Sequence, residues 1–136
     1  MNLSELMTRP VVSVEMDDSL RVVKALFDRL SFHHLLVIEG GKLVGVISDR
    51  DLLKSISPRI GTNSESEQDL ATLNKRVHQI MRRKPHALFP ESTLDDAISL
   101  FCHQHISCIP VVNDQGKPVG IVSWRDIMKS LEKNHG

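Results

Sequence analysis

The sequence predicts an α/β (α+β) fold made of two pseudo-symmetric β-α-β-β-α repeats packed sheet to sheet. Three observations carry that expectation. First, Gly41-Lys-Leu-Val-Gly-Val-Ile-Ser-Asp-Arg-Asp51 returns about 75 residues later as Gly116-Lys-Pro-Val-Gly-Ile-Val-Ser-Trp-Arg-Asp126. Second, nearly the same offset aligns Leu26-Phe27 with Leu100-Phe101, Leu35-Leu-Val-Ile38 with Ile109-Pro-Val-Val112, Leu6-Met7 with Ile80-Met81, and Pro10 with Pro85. Matches kept in one order along most of both halves mark an internal duplication. Third, each copy alternates short β-prone runs with apolar positions at helical spacing. One copy is too small to bury its own apolar faces, so the two are expected to share a core.

Each copy reads the same way. Val11 to Val14 and Ala87 to Phe89 are β-prone runs just after a proline. Asp17-Asp-Ser19, and Glu91-Ser-Thr93 with Asp95 three residues after Ser92, suit a helix start, because their side-chain oxygens can accept from orphan N–H groups. Leu20, Val23, Leu26, Phe27 and Leu30 then fall on one helical face, as do Leu94, Ala97, Ile98, Leu100 and Phe101. Leu35 to Ile38 and Ile109 to Val112 read as buried strands. The turns Glu39-Gly-Gly41 and Asn113-Asp-Gln-Gly116 lead into second strands, Val44 to Ser48 and Val119 to Ser123, so each pair is a hairpin. A second helix starts near Asp49 and near Trp124. The strand-helix-strand crossover makes its two strands parallel. Between the copies, Ser57 to Gln68 is polar and carries Gly and Pro, the composition of a mobile linker. Helical spacing resumes at Leu70, Leu73, Val77, Ile80 and Met81. The expected boundaries are 1–56 for the first repeat, 57–69 for the linker and 70–136 for the second repeat.

Composition narrows the function classes. The chain has 136 residues, 40% hydrophobic and 25% charged, with 17 basic residues against 17 acidic ones. A balance with no net field argues against a protein built to neutralise nucleic-acid phosphates. With no tyrosine, one tryptophan and four phenylalanines, a stacking platform for single strands is also missing. No signal peptide and no membrane-length apolar run are visible, and Cys102 and Cys108 are too close in sequence for a disulfide framework. A reducing cytoplasm is the expected setting. There is no nucleophile elbow, Walker loop or Gly-x-Gly-x-x-Gly, so no enzyme class is indicated. Gly45 and Gly120, single glycines within strands, suggest close approach of a backbone or a ligand.

Met-Thr-x-x-Val, a helix, a strand of the His-x-Leu or Ser-x-Ile-Pro-Val kind, then Gly, two apolar residues and Ser-x-x-Asp form a pattern that resembles the cystathionine-β-synthase (CBS) domain. The similarity covers about 3–56 and 70–132, and a pair with no attached catalytic or transport domain resembles small bacterial regulatory CBS proteins. The resemblance implies a regulatory module that binds an adenosine-containing ligand (AMP, ADP, ATP or S-adenosylmethionine) in clefts between the repeats and catalyses nothing. No cofactor is implied beyond that regulatory nucleotide. It assigns ribose hydroxyls to Asp51 and Asp126, and phosphates to the neighbourhood of Ser48 and Ser123. Arg50 and Arg125 could pair with phosphate, or point to solvent from a first helical turn. Adenine is expected near Val11-Val12 or His86-Ala87, with Val12, Ala87, His34 and Ile109 as lining residues. Homodimerisation through outward helices and an unknown protein target complete the expectation, with neither nucleic acid nor membrane as a partner.

Plainer readings stand beside these. Ser-x-x-Asp before an apolar run is also a capping box, and a duplicated helix needs its cap twice. Cys102-His103-Gln-His105-Ile-Ser-Cys108 carries metal-type ligands. However, Cys102 and His103 point about 100° apart on a helix, which favours a buried thiol and surface histidines instead. Leu36 stands where the second copy has Pro110, and Asp49 where it has Trp124. A carboxylate at Asp49 would repel phosphate, so unequal clefts are expected, the Ser123–Asp126 one the better. The rivals are an interaction module whose clefts are filled by side chains, and a metal- or redox-responsive protein.

Overall fold

A computed structural model describes residues 1–135 of the chain. Helix α1 (Leu3–Leu6) is followed by β1 (Ser13–Glu15), α2 (Leu20–Arg29), β2 (His34–Glu39), β3 (Lys42–Ser48) and α3 (Asp49–Ser55). Then come α4 (Glu67–Ala71), a 3-10 turn over Thr72–Asn74, α5 (Val77–Ile80) and β4 (Arg82–Arg83). The second copy continues with α6 (Leu94–His103), β5 (Cys108–Val112), β6 (Pro118–Ser123) and α7 (Trp124–His135). This is the mixed α/β order that the duplication predicts.

The first copy's three strands take a fourth from the second copy's half of the sequence, in the order β1-β2-β3-β4. β1 lies parallel to β2, with Val14 opposite Val37, as a crossover through α2 requires. Gly40 and Gly41 both have positive φ, 59° and 79°, the conformation a two-residue hairpin turn demands. In the second copy β5 and β6 pair antiparallel, Ile109 opposite Val122. Its expected first strand shrinks to one parallel bridge, Leu88 to Val111, where the Leu88 N–H donates to the Pro110 carbonyl and the Val112 N–H donates to Leu88. Proline at 90 has no N–H to extend the ladder.

The predicted cap on α6 is displaced by one residue. Ser92 keeps its hydroxyl in the preceding turn, accepting from the Phe89 N–H at 3.0 Å. Thr93 therefore caps, in a reciprocal box with Asp96 rather than Asp95. On α2, Ser19 occupies the N-cap position without a side-chain bond.

Sequence repeat and compact unit are different divisions of the chain. One unit comprises Val12–Glu39 and Val44–Arg83; the other takes Met1–Val11, Gly40–Leu43 and the described residues from Lys84 onward. Here they are called the Asp51 unit and the Asp126 unit. The core of the Asp51 unit joins Val14, Leu20, Val23, Leu35, Val37 and Ile47 to Val77 and Met81. That of the Asp126 unit joins Ala97, Phe101, Ile109, Val111, Val122 and Ile127 to Leu3, with Leu6 and Met7 packed against it. Each unit thus takes its methionine-bearing helix from the opposite half of the sequence.

The expected mobile linker is cross-tied, and its helix begins at Glu67. Asp69 is 9% exposed and accepts from the Ser57 hydroxyl at 2.7 Å, the Ser66 N–H at 2.8 Å and the Ser66 hydroxyl at 2.9 Å. The Ser57 hydroxyl, and then the Ser66 N–H, hold this carboxyl below the ordinary aspartate value of 3.8. A depressed folded pKa contributes stability above the unfolded value, and that contribution disappears as pH falls through the folded one. Asp69→Asn should therefore lower the urea midpoint at neutral pH, with the gap to wild type closing only below the ordinary aspartate value. A gap that is absent at neutral pH would count against the tie.

Candidate functional site

Two strand glycines set up the site in each unit. A Cβ on Gly45 of β3 would come 2.9 Å from Met81 Sδ and 3.0 Å from the Arg82 carbonyl oxygen. A Cβ on Gly120 of β6 would fall on the Met7 side chain, within 3.1 Å even of Met7 Cβ. A backbone or a ligand was expected at these glycines; a methionine side chain approaches each, joined at Gly45 by the Arg82 backbone carbonyl. Backbone pairing fixes the next residue: Arg82 lies opposite Val46, while the Thr8 N–H donates to Ile121 at 2.8 Å and the Ile121 N–H donates to Thr8 at 3.2 Å. Val46 and Ile121 are repeat equivalents, so Arg82 and Thr8 are too. Both sit where β3 or β6 runs on into the Ser-x-x-Asp turn.

The Ser-x-x-Asp segments form capping boxes, so the plain reading of them holds. Ser48 Oγ accepts from the Asp51 N–H at 3.0 Å, and Asp51 Oδ2 accepts from the Ser48 N–H at 3.0 Å. In the second copy Asp126 Oδ2 accepts from the Ser123 N–H at 2.8 Å and the Ser123 hydroxyl at 3.1 Å. Capping engages only one oxygen of each carboxylate. The other, Oδ1, faces the residue after the methionine. In the Asp126 unit the Thr8 hydroxyl donates to it at 2.9 Å. In the Asp51 unit the Arg82 Nε lies 3.6 Å from it, with the Asp51 side chain 13% exposed.

Polar groups gather around both carboxylates: Lys129, Ser130 and Lys133 share a hollow with Asp126, and a histidine cluster stands by Asp51. His33 Nδ1 meets Asp49 Oδ2 at 2.8 Å, which sets an imidazole against the carboxylate expected to repel phosphate. His34 opens β2 half-buried. Burial pushes its imidazole below the ordinary value of 6.5, opposed by Asp49 and Asp51 and reinforced by His33 and Arg82. In the second copy the matching positions are Ser107, Cys108 and Trp124, and the Trp124 ring packs on Phe101 with centroids 4.7 Å apart.

The remaining candidates separate. Val12 is half-buried, packs on the Asp51 unit's core, and accepts from the Leu36 N–H through its carbonyl at 3.1 Å. Ala87 is half-buried beside the Leu88 bridge. Ile109 is wholly buried in the core of the Asp126 unit. Arg50 and Arg125 are exposed, and among the described residues neither forms an ion pair. Cys102 is exposed on α6 and Cys108 is buried in β5. Among the described residues no group of three or more His, Cys, Asp or Glu could hold a metal ion. Also among them, no helix is long and apolar enough to cross a membrane.

The CBS domain model matches residues 3–58 and 77–133, once over each copy. The chain belongs to the CBS domain family. A CBS domain-containing protein of Dictyostelium discoideum is 29% identical over 133 residues, covering 96% of this chain and 91% of its own. Such relatives are thus not confined to bacteria. Among solved structures, CBSX2 in complex with AMP superposes with a TM-score of 0.80 at 25% identity, covering 99% of this chain and 98% of its own. The CBS domain pair of protein MJ0100, in complex with 5′-methylthioadenosine and S-adenosylmethionine, gives 0.78 at 24% identity with 98% of each chain covered.

Sequence reasoning passed over Thr8 and Arg82. The signal was present in the repeat, since Met7-Thr8 and Met81-Arg82 stand at nearly matching distances before Gly45 and Gly120. Pattern matching takes them as an alignment anchor, and only strand pairing turns them toward the aspartates.

Proposed function

We propose that this chain is a non-catalytic CBS module that senses an adenosine-containing ligand in the cytoplasm and passes the signal to a separate protein. The observation that carries it is the pair of capping carboxylates. In each, Oδ2 is fixed by the helix cap and Oδ1 is turned from it. A carboxylate held this way is ready to accept ribose hydroxyls without rearranging, and hydrogen bonds to a charged acceptor are the stronger kind. Capping and ligand contact are compatible, since they use different oxygens. Adenine would rest against Val11-Val12 or His86-Ala87, with Ser48 and Ser123 toward the phosphate end. That CBSX2 takes AMP, and the MJ0100 pair takes S-adenosylmethionine, supports this class of ligand.

One observation favours the rival interaction module: the Thr8 hydroxyl already occupies Asp126 Oδ1. A carboxylate oxygen has a second lone pair, so the bond does not exclude a ribose hydroxyl. Calorimetric titration with AMP, ATP and S-adenosylmethionine separates the readings. Saturable heat with at least one is expected, and silence with all three would leave the interaction module standing.

The outward helices fit a homodimer. Leu53 on α3 and Met128 on α7 are repeat equivalents, and they are 71% and 59% exposed. An apolar residue exposed at the same place in both copies suits a closed two-fold assembly. Leu53→Glu with Met128→Glu should convert a sedimenting dimer to monomer. A dimer that persists in the double variant would locate the contact elsewhere.

A further inference from the structure

We propose that Arg82 selects phosphorylated adenosine ligands at Asp51, a role that its repeat equivalent Thr8 does not take at Asp126. This rests on the adenosine-sensing reading and adds to it a division of labour between the two copies.

The two aspartates are repeat equivalents with matching caps, so a difference in ligand must come from what stands around them. Around Asp51 stand Arg82 at 3.6 Å, the His33–Asp49 pair at 2.8 Å, and half-buried His34. At Asp126 the group on Oδ1 is neutral, Thr8 at 2.9 Å, with Trp124 at the position of Asp49 and with Lys129 and Lys133 of α7 lining the same hollow. Arg82 and Thr8 are brought there by one device, a methionine laid over a strand glycine. The contrast between them is therefore a substitution in a fixed frame.

Arg82 is well placed to read a phosphate. A guanidinium carries five donors in a planar fork suited to oxyanions. Among the described residues its side chain has one ion-pair partner, Asp51, met through Nε alone and at long range, and the side chain is 62% exposed. The donors of the fork face solvent while the base of the side chain is pinned by the β3–β4 pairing. A ribose on Asp51 would hold its phosphate within reach of that fork. At Asp126 the same frame position holds Thr8, and the cations that share a hollow with that carboxylate, Lys129 and Lys133, come from α7 rather than from the segment after a methionine.

The test compares adenosine with AMP by calorimetric titration of the full chain. The variants are Arg82→Thr, Arg82→Gln, Arg82→Lys and Thr8→Arg, with thermal melts to verify folding. Arg82→Thr and Arg82→Gln should each weaken AMP by about tenfold or more, the worth of a charge-assisted hydrogen bond, and leave adenosine within about twofold. Arg82→Lys should restore part of the AMP affinity, and added salt should weaken AMP in wild type more than in Arg82→Thr. Thr8→Arg should raise AMP affinity in a chain whose other position is disabled by Asp51→Asn. Equal loss of adenosine and AMP in Arg82→Thr would reduce Arg82 to a support for Asp51. Unchanged AMP affinity in that variant would remove it altogether. Wild type silent toward both compounds would overturn the adenosine-sensing reading itself, a result distinct from either.

Discussion

Asp126→Ala should lower affinity for adenosine or S-adenosylmethionine at its position by on the order of 100-fold, because two ribose hydroxyls lose a charged acceptor. It should also lower stability by about 1–2 kcal/mol, since the Ser123 N–H and the Thr8 hydroxyl lose their partner together. The two effects need separating, as a frayed α7 could weaken binding indirectly. The chain contains its own control. Asp96 closes an equivalent capping box with Thr93 at the start of α6 and is exposed, and the segment before Met7 meets this cap through backbone alone, Asn2 bridging Thr93 and the Leu3 N–H donating to Ser92. Asp96→Ala should therefore cost comparable stability in a urea titration and leave ligand heat unchanged. If Asp126→Ala and Asp96→Ala behave alike in the calorimeter, Asp126 is a helix cap and nothing more.

That control also shows why Ser-x-x-Asp was ambiguous in the sequence. The fold builds such boxes at Ser48–Asp51, Ser66–Asp69 and Thr93–Asp96, and a similar set of bonds at Ser123–Asp126. At Asp69 the second oxygen goes to Ser57, and the box closes a connecting segment. Spacing alone reports the cap. What distinguishes Asp51 and Asp126 is the neighbour on Oδ1, and that neighbour is about 30 residues away in one case and 118 in the other.

The elements were largely legible because their signals are local. The hairpin turn needs glycines at 40 and 41, and helices α3 and α7 begin where the Ser-x-x-Asp boxes start them. Failures arose where a contact distant in sequence overrode a local preference. Residues 57–68 are polar enough to read as a free linker, yet Asp69 ties Ser57 and Ser66. The exchange of methionine-bearing segments between copies has no local signature at all. The alignment pairs Leu6-Met7 with Ile80-Met81 whether each serves its own half or the other.

Gly120→Ala tests that exchanged segment directly and should destabilise the chain by about 1–3 kcal/mol, the usual cost of overpacking. The sign is not automatic. Replacing glycine in a strand ordinarily gains about 0.4–1 kcal/mol by restricting the unfolded chain, and nothing about Gly120's backbone forbids alanine. The clash decides. The new methyl would meet Met7 Sδ, Cγ and Cβ, and a rotamer change relieves only the first two. Retreat of the Met7 backbone would break the paired Thr8–Ile121 hydrogen bonds at 2.8 and 3.2 Å and lift Leu3 out of a fully buried position. Met7→Ala made together with Gly120→Ala leaves out Sδ and Cγ, so the double variant should be more stable than the sum of the single effects predicts. Additivity within about 0.5 kcal/mol would mean that the two residues do not press on each other. Because Thr8 follows Met7, Gly120→Ala should also shift the hydroxyl on Asp126 and weaken ligand binding there, while binding that depends on Arg82 is spared. A variant that destabilised the fold yet left both positions equally competent would separate the methionine–glycine contact from ligand recognition.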